Sequence, residues 1–210
     1  MKIYREVKLV IYDCDGVMFD SKKSNLAYYN FILDEFGKPP IDEQDLSLVH
    51  IAHTRTGWQV IDLLFKDDKR LDEAHEFACH LDYTPFLNYM VIEPGFIEML
   101  KLLKDDYYIA IATNRGVTLP TILNHFNLEK YFHYSVTSLD VKKPKPHPEC
   151  LLKIMDHFKL PNKAALYIGD SEVDVKTAVN GGINFVAYKN SLGTPLKIEN
   201  HLELKDILGL

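Results

Sequence analysis

Cysteine is scarce in this chain. Cys14, Cys79 and Cys150 are its only three in 210 residues, an odd set without metal-type spacing, which excludes a disulfide framework or a structural zinc site and predicts three thiols in a reducing compartment. Runs of positive charge are missing too. No stretch of Lys and Arg exceeds two residues, and 30 acidic against 24 basic residues leave a net charge of −6, so neither nucleic acid nor an anionic membrane is an expected partner. Long apolar runs are absent, and residues 1–13 mix charged and apolar side chains, which fits neither a signal peptide nor a membrane anchor and predicts a cytoplasmic location. Internal repeats and low-complexity tracts are lacking as well.

What is present is an ordinary globular composition, 47% hydrophobic and 26% charged, in a length that suits one α/β core carrying an insertion. Residues 9–12, 107–112, 165–168 and 183–188 are short, apolar, β-rich runs, with a weaker candidate at 133–137. Amphipathic helical patterns separate them, which predicts a parallel sheet covered on both faces. From Ser21 to about Met90 the pattern is helical throughout, with apolar Leu26, Tyr29, Ile32, Leu33 and Phe36 at helical spacing. Pro85 and the turn Glu93-Pro94-Gly95 mark its exit. The expected organisation is a core of residues 1–20 and 91–210 with a helical insertion at 21–90.

Ligands in open parallel sheets bind at the carboxyl ends of the strands. There the sequence places Asp13 and Asp15 after the first strand, Thr113-Asn114-Arg115 after the second, Lys143 and Lys145 after the weak one, and Gly169-Asp170-Ser171 with Asp174 after the fourth. Such a gathering of carboxylates needs a hard cation, and Mg²⁺ accepts one or two carboxylates while keeping waters and substrate phosphate. Asp13 and Asp170 are the natural ligands. A bound cation would also screen a phosphate dianion from Asp13, leaving that carboxylate free to act as a nucleophile, with Asp15 placed for proton transfer.

Asp13-x-Asp15-Gly16-Val17, Thr113-Asn114, Lys145-Pro146-x-Pro148 and Gly169-Asp170-x-x-x-Asp174 together resemble the four motifs of the haloacid dehalogenase (HAD) superfamily, in that family's order. The stretches 111–131 and 145–182, and Phe19-Asp20-Ser21, are similar to phosphoglycolate phosphatase and its close relatives. The resemblance implies a three-layer αβα Rossmann-like core with a parallel sheet and an all-helical cap of the first type. It implies that Asp13 is a nucleophile forming an aspartyl-phosphate and that Asp15 is the acid and then the base. Thr113, with Asn114 beside it, would hold the phosphoryl group, and a lysine would steady the charge. Mg²⁺ would be held by the Asp13 carboxylate, the Asp15 backbone carbonyl and Asp170, with Asp174 orienting a lysine or a metal-bound water.

The lysine stands in two overlapping registers of Lys-Pro-x-Pro. Lys145 is the choice because Glu149, Leu151 and Leu152 then open the next helix, with Lys143 the alternative. In the cap, His53 and Arg55 are candidates for reading the leaving group, with solvated helix surface as the plain alternative, and His50 and Trp58 are weaker ones. Cys14 is expected to face away from Asp13 into packing, since successive side chains of extended chain alternate. The expected substrate is a small phosphorylated metabolite hydrolysed by a monomer or homodimer. A β-phosphoglucomutase-like mutase and a pyrophosphatase are the rival enzymes. A haloacid dehalogenase is disfavoured by Asp15 and Asp170, a phosphonatase by the lack of a well-placed cap lysine, and a response-regulator receiver by its different placement of the accepting aspartate.

Overall fold

The structure is a computed structural model that describes Tyr4 and residues 6–210. The reading of the chain start as neither leader nor anchor rests partly on Met1, Lys2, Ile3 and Arg5, which lie outside the described residues. The strands are β1 (Leu9–Tyr12), β2 (Phe19–Asp20), β3 (Val91–Ile92), β4 (Tyr108–Ala112), β5 (Tyr134–Val136), β6 (Ala165–Gly169), β7 (Asn184–Tyr188) and β8 (Lys197–Ile198). The helices are α1 (Lys22–Glu35), α2 (Leu46–Thr54), α3 (Gly57–Leu64), α4 (Leu71–His80), α5 (Phe96–Leu103), α6 (Leu119–His125), α7 (Glu149–Phe158), α8 (Glu172–Gly181) and α9 (Leu204–Leu208).

Six strands form one parallel sheet in the order β5-β4-β1-β6-β7-β8. The first strand is central because all four of its side chains are apolar and fully buried, a composition that only a strand covered on both faces can use. Val10 and Tyr12 enter one core with Ile109, Ile111, Leu166 and Ile168, whereas Leu9 and Ile11 enter the other with Ala110, Ala112 and Tyr167. Strands β4 and β5 lie on one side of β1 and β6 and β7 on the other, so the strand order reverses at β1. Its carboxyl end therefore opens into the crevice where such sheets bind ligands.

All five expected strands are present, with the weak one reduced to Tyr134–Val136. Two features went unanticipated. The chain leaves the core through β2 and returns through β3, which pair antiparallel with Phe19 opposite Ile92 and Asp20 opposite Val91. Between them lie α1 to α4 and a 3₁₀ segment at Thr84–Tyr89, so residues 22–89 contain no strand. The other addition is β8, a two-residue edge strand beside β7. Among the described residues, no helix is long and apolar enough to cross a membrane.

Just past the ribbon, buried Glu93 accepts hydrogen bonds from the Tyr188 hydroxyl at 2.9 Å and Lys189 Nζ at 2.5 Å. The next residue on that side, Asn190, donates to the Asp170 carbonyl at 2.6 Å. Where the chain re-enters the core is thereby braced against the loop that carries Asp170. Glu93→Ala leaves the Tyr188 hydroxyl without its acceptor and is expected to lower stability by roughly 1–3 kcal/mol, measured as an earlier midpoint in urea unfolding. An unchanged midpoint would show that the brace contributes nothing.

Candidate active site

Each motif is placed by a local structural cause. Asp13 and Asp15 follow the last residue of β1, and Gly16 (φ 74°) turns the chain back beside them. A Cβ on Gly16 would overlap the Asp170 carboxylate, and one on Gly169 would overlap Asp174. Only glycine lets those carboxylates come so close. Ser171 caps α8: its hydroxyl accepts from the Asp174 N–H while the Asp174 carboxylate accepts from the Ser171 N–H and hydroxyl. This reciprocal cap fixes Asp174 in the first turn.

Lys145 lies at the centre, 4% exposed. Its Nζ is 2.7 Å from Asp174 Oδ1, 3.1 Å from the Tyr167 hydroxyl and 2.9 Å from Asp13 Oδ1. The last of these is an ion pair outside hydrogen-bond angles, so Asp13 Oδ1 is buried without a hydrogen bond. Lys143, the alternative register, is exposed. Burial disfavours the Lys145 charge, but Asp13 and Asp174 outweigh it and hold the ammonium above the usual lysine range. Asp174 stays below the usual carboxylate range despite its burial, because Lys145, Ser171 and Tyr167 all bind its charged form.

The other carboxylates diverge. Burial pushes Asp13 up to about 7, with Lys145 opposing and the charges of Asp174 and Asp15 adding. Asp170 is raised well above its ordinary value by burial and then by Asp174 and Asp13, and among the described residues nothing donates to its carboxylate. Burial works against the Asp15 charge as well, but Arg115 prevails and holds that carboxyl below the usual range. Asp15 Oδ1 accepts from Arg115 Nη2 at 2.5 Å, from Asn25 Nδ2 at 3.2 Å and from Ser21 Oγ. No described residue donates to Oδ2, which stays available for chemistry.

Thr113 is buried in the same cavity and its hydroxyl accepts from the Arg115 N–H at 3.1 Å. The Asn114 amide is committed elsewhere. It accepts from the Lys145 N–H at 3.0 Å and donates to the Lys145 carbonyl and, at 3.0 Å, to the Thr54 carbonyl of α2. Asn114 thus positions the lysine and ties the helical segment to the sheet. His53 and Arg55 both line the cavity. The His53 side chain is buried, with Nε2 3.9 Å from Asp170 Oδ2, whereas Arg55 is exposed at the rim and its side chain makes no hydrogen bond or ion pair to a described residue. His50 pairs with Glu172 of α8 at 3.0 Å, and Trp58 stacks on His75. Cys14 is fully buried in the apolar core, as alternation required.

Sequence reasoning placed Arg115 at the strand edge without giving it a role, and did not single out Asn25, Tyr83 or Tyr167. Arg115 donates to Asp15, to Asn25 Oδ1 at 2.8 Å and to the Tyr83 hydroxyl at 3.1 Å. Its position directly after Thr113-Asn114 was the available signal. Asn25 and Tyr83 belong to opposite ends of the helical segment and carry no spacing that links them to the site.

The cavity enclosed by these residues measures about 160 Å³. At roughly 10–15 Å³ per water on that measure, it takes a molecule of small-metabolite size. Ligand oxygens of Asp13, Asp170 and Asp174 lie within 4.8 Å of one another. Asp174 is saturated by its donors, whereas no described residue donates to the Asp170 carboxylate and Asp13 has Lys145 alone beside it, so these two carboxylates keep hard oxygens for a divalent cation.

A haloacid dehalogenase-like hydrolase family model matches residues 10–188. The chain belongs to that family. A HAD-superfamily hydrolase of subfamily IA, variant 1, from Geobacter sulfurreducens is 40% identical, with 97% of each chain covered and a TM-score of 0.78. A phosphoglycolate phosphatase of Pseudomonas savastanoi pv. phaseolicola is 27% identical over 92% of this chain and 74% of its own. A phosphorylated carbohydrates phosphatase of Thermotoga maritima is 24% identical over 84% of this chain and 82% of its own. This hydrolase thus shares its family, and most of its length, with phosphatases.

Two outcomes follow from the site's electrostatics. Gly16→Ala places a side chain at positive φ, at a cost of roughly 1–2 kcal/mol, and displaces Asp170. Thermal unfolding with and without a divalent cation is expected to show a lower Tm and a smaller cation-induced rise than in the wild type. The second concerns pH. Asp13, pushed up to about 7, and Asp170, also raised, hold protons in the cation-free fold that the unfolded chain has released above about pH 4, so their contribution to stability is full below that and is lost as pH rises, for Asp13 through about 7. A cation competes with those same protons, so the Tm rise it produces is expected to grow from pH 5 to pH 8. A pH-independent rise would mean the cation binds elsewhere.

Proposed function

We propose that this hydrolase is an Mg²⁺-dependent phosphatase that cleaves a small phosphate monoester of the phosphoglycolate type through an aspartyl-phosphate on Asp13. The observation that carries the reading is the buried Asp13 carboxylate paired with the Lys145 ammonium at 2.9 Å, in a small cavity at the strand-order reversal. The phosphatase names of its relatives support it.

In this reading an Asp13 carboxylate oxygen attacks phosphorus and the ester P–O bond breaks. Asp15, through its free Oδ2, gives a proton to the departing alkoxide. It then takes one from the water that attacks the acyl-phosphate, so that inorganic phosphate leaves and Asp13 is regenerated. Asp15 must be protonated for the first step, and Arg115 favours its ionised form, so substrate entry has to loosen that pair. Lys145 offsets the charge shared between Asp13 and the phosphoryl oxygens, and the Thr113 hydroxyl donates to one of them. The Asp13 and Asp170 carboxylates, with the Asp15 backbone carbonyl, would hold Mg²⁺, with Asp174 keeping Lys145 in place. When bound, the cation supplies charge neutralisation and orients the phosphate. The helical segment 21–90 acts as a lid over the core of 1–20 and 91–210, excluding bulk water and presenting His53 and Arg55 to the leaving group.

The test is phosphate release from a panel containing phosphoglycolate, hexose phosphates and pyrophosphate. Release is expected with Mg²⁺ and not with EDTA. Asp13→Asn should lower it by about 10³-fold or more and Lys145→Met by roughly 10²–10³-fold, as for other lost electrostatic donors. Lys143→Met should stay close to wild type. Activity surviving in Asp13→Asn would remove the nucleophile assignment, and phosphoryl return to a sugar in place of release would make the enzyme a mutase.

A further inference from the structure

His201 is a fully buried histidine that the reaction outlined above does not use. Its ring stacks on Tyr188 at a centroid distance of 4.4 Å and packs against Phe96 and Tyr12. Burial pushes its pKa down to about 4, so at neutral pH the ring is uncharged and carries a single proton. Nε2 lies 2.8 Å from the Val17 carbonyl oxygen, 184 positions away in the chain. A carbonyl only accepts, so the proton sits on Nε2 and is donated to Val17.

Val17 belongs to the turn that carries Asp15. Residues 14–19 are closed on themselves by backbone hydrogen bonds: the Met18 and Phe19 N–H groups both donate to the Cys14 carbonyl, at 3.0 and 3.2 Å, and the Gly16 N–H donates to the Phe19 carbonyl at 2.8 Å. A turn cross-linked in this way shifts as one piece, so the group that holds the Val17 carbonyl also holds the main chain of Asp15. Arg115, Asn25 and Ser21 orient the Asp15 carboxylate, whereas His201 steadies the backbone beneath it. Asp13 is anchored separately, through its N–H to the Ile168 carbonyl of β6 at 3.0 Å. The segment around His201 also meets the returning chain. Its N–H lies 3.5 Å from the Pro94 carbonyl, and Asn200 packs so closely on Gly95 that a Cβ there would lie 2.3 Å from its Oδ1.

We infer that His201 is a positioning residue: its Nε2–H, through the Val17 carbonyl, holds the turn that sets Asp15 for proton transfer to the leaving group. The inference goes beyond the proposed phosphatase function and rests on it. Proton transfer works only across hydrogen-bond reach, about 2.6–3.2 Å, so a loosened turn impairs Asp15 while Asp13, fixed by the sheet, keeps its place for attack on phosphorus.

The test compares two classes of leaving group at saturating Mg²⁺. An alkoxide needs a proton as the P–O bond breaks, whereas p-nitrophenolate leaves as a stable anion, so only the first depends on Asp15 as an acid. The ratio kcat/KM covers the steps up to the aspartyl-phosphate, and the later use of Asp15 as a base does not enter it. His201→Phe keeps a stacked ring and removes the donor. Its kcat/KM is expected to fall roughly 10- to 100-fold on the best alkyl ester of the panel, the scale of an ångström-sized misplacement, and by less than about 3-fold on p-nitrophenyl phosphate. His201→Gln, whose amide N–H reaches the Nε2 position, is expected to recover most of the loss. A merely structural role would lower both esters together. Equal losses, no loss, or a His201→Gln variant as poor as His201→Phe overturns the inference and leaves the phosphatase reading intact. If His201→Phe does not fold, Asn200→Ala removes the side chain that caps the turn carrying the ring. It is expected to show the same selectivity at smaller size, and equal or absent losses there overturn the inference too. So does a wild type active on p-nitrophenyl phosphate and on no alkyl ester, since no leaving group then draws a proton from Asp15. A wild type that releases phosphate from no ester at all sinks both readings.

Discussion

Four carboxylates crowd around two buried cations, and the rest of the molecule is arranged to make that crowding tolerable. Asp13, Asp15, Asp170 and Asp174 face Lys145 and Arg115 as the two cations buried beside them. Two of the acids are satisfied in the charged form, Asp174 by Lys145, Ser171 and Tyr167, and Asp15 by Arg115, Asn25 and Ser21. The other two, Asp13 and Asp170, are not, and burial raises both. A protein that holds like charges this close stores electrostatic free energy, which a divalent cation can release.

The scaffold meets that demand with packing. The parallel sheet buries β1 on both faces, and its apolar stabilisation offsets a polar site of the kind that on its own destabilises a fold. Gly16 and Gly169 remove the side chains that would keep the carboxylates apart. The cap of α8 doubles as the clamp on Asp174. Buried Glu93 and the Asn190 contact with the Asp170 carbonyl tie the re-entry of the chain to the same loop.

Division of labour follows the chain's organisation. The strand ends, the loop before α7 and the first turn of α8 supply every carboxylate and the lysine, and the helical segment supplies Asn25, His53, Arg55 and Tyr83. Two core residues join the halves: Arg115 through Asn25 and Tyr83, and Asn114 through the Thr54 carbonyl. Since Asn114 also holds the main chain of Lys145, the position of the helical segment and that of the central ammonium are mechanically linked.

The sequence by itself determined the α/β class, the five main strands and the side chains brought to the carboxyl edge, because a doubly buried strand must be written as a short apolar run and its polar successors must fall at its end. Lys145 was legible for the same reason, through the helix that begins at Glu149. The β2–β3 ribbon and β8 were not, since two-residue strands have no periodicity to detect. Tertiary structure alone decided which donors surround Asp15 and why Asn114 braces rather than faces the cavity. Those outcomes depend on contacts between residues far apart in the chain, such as Asn25 with Arg115 and Asn114 with Thr54. Local propensity has no knowledge of such pairs, because only the folded geometry sets the distance between them.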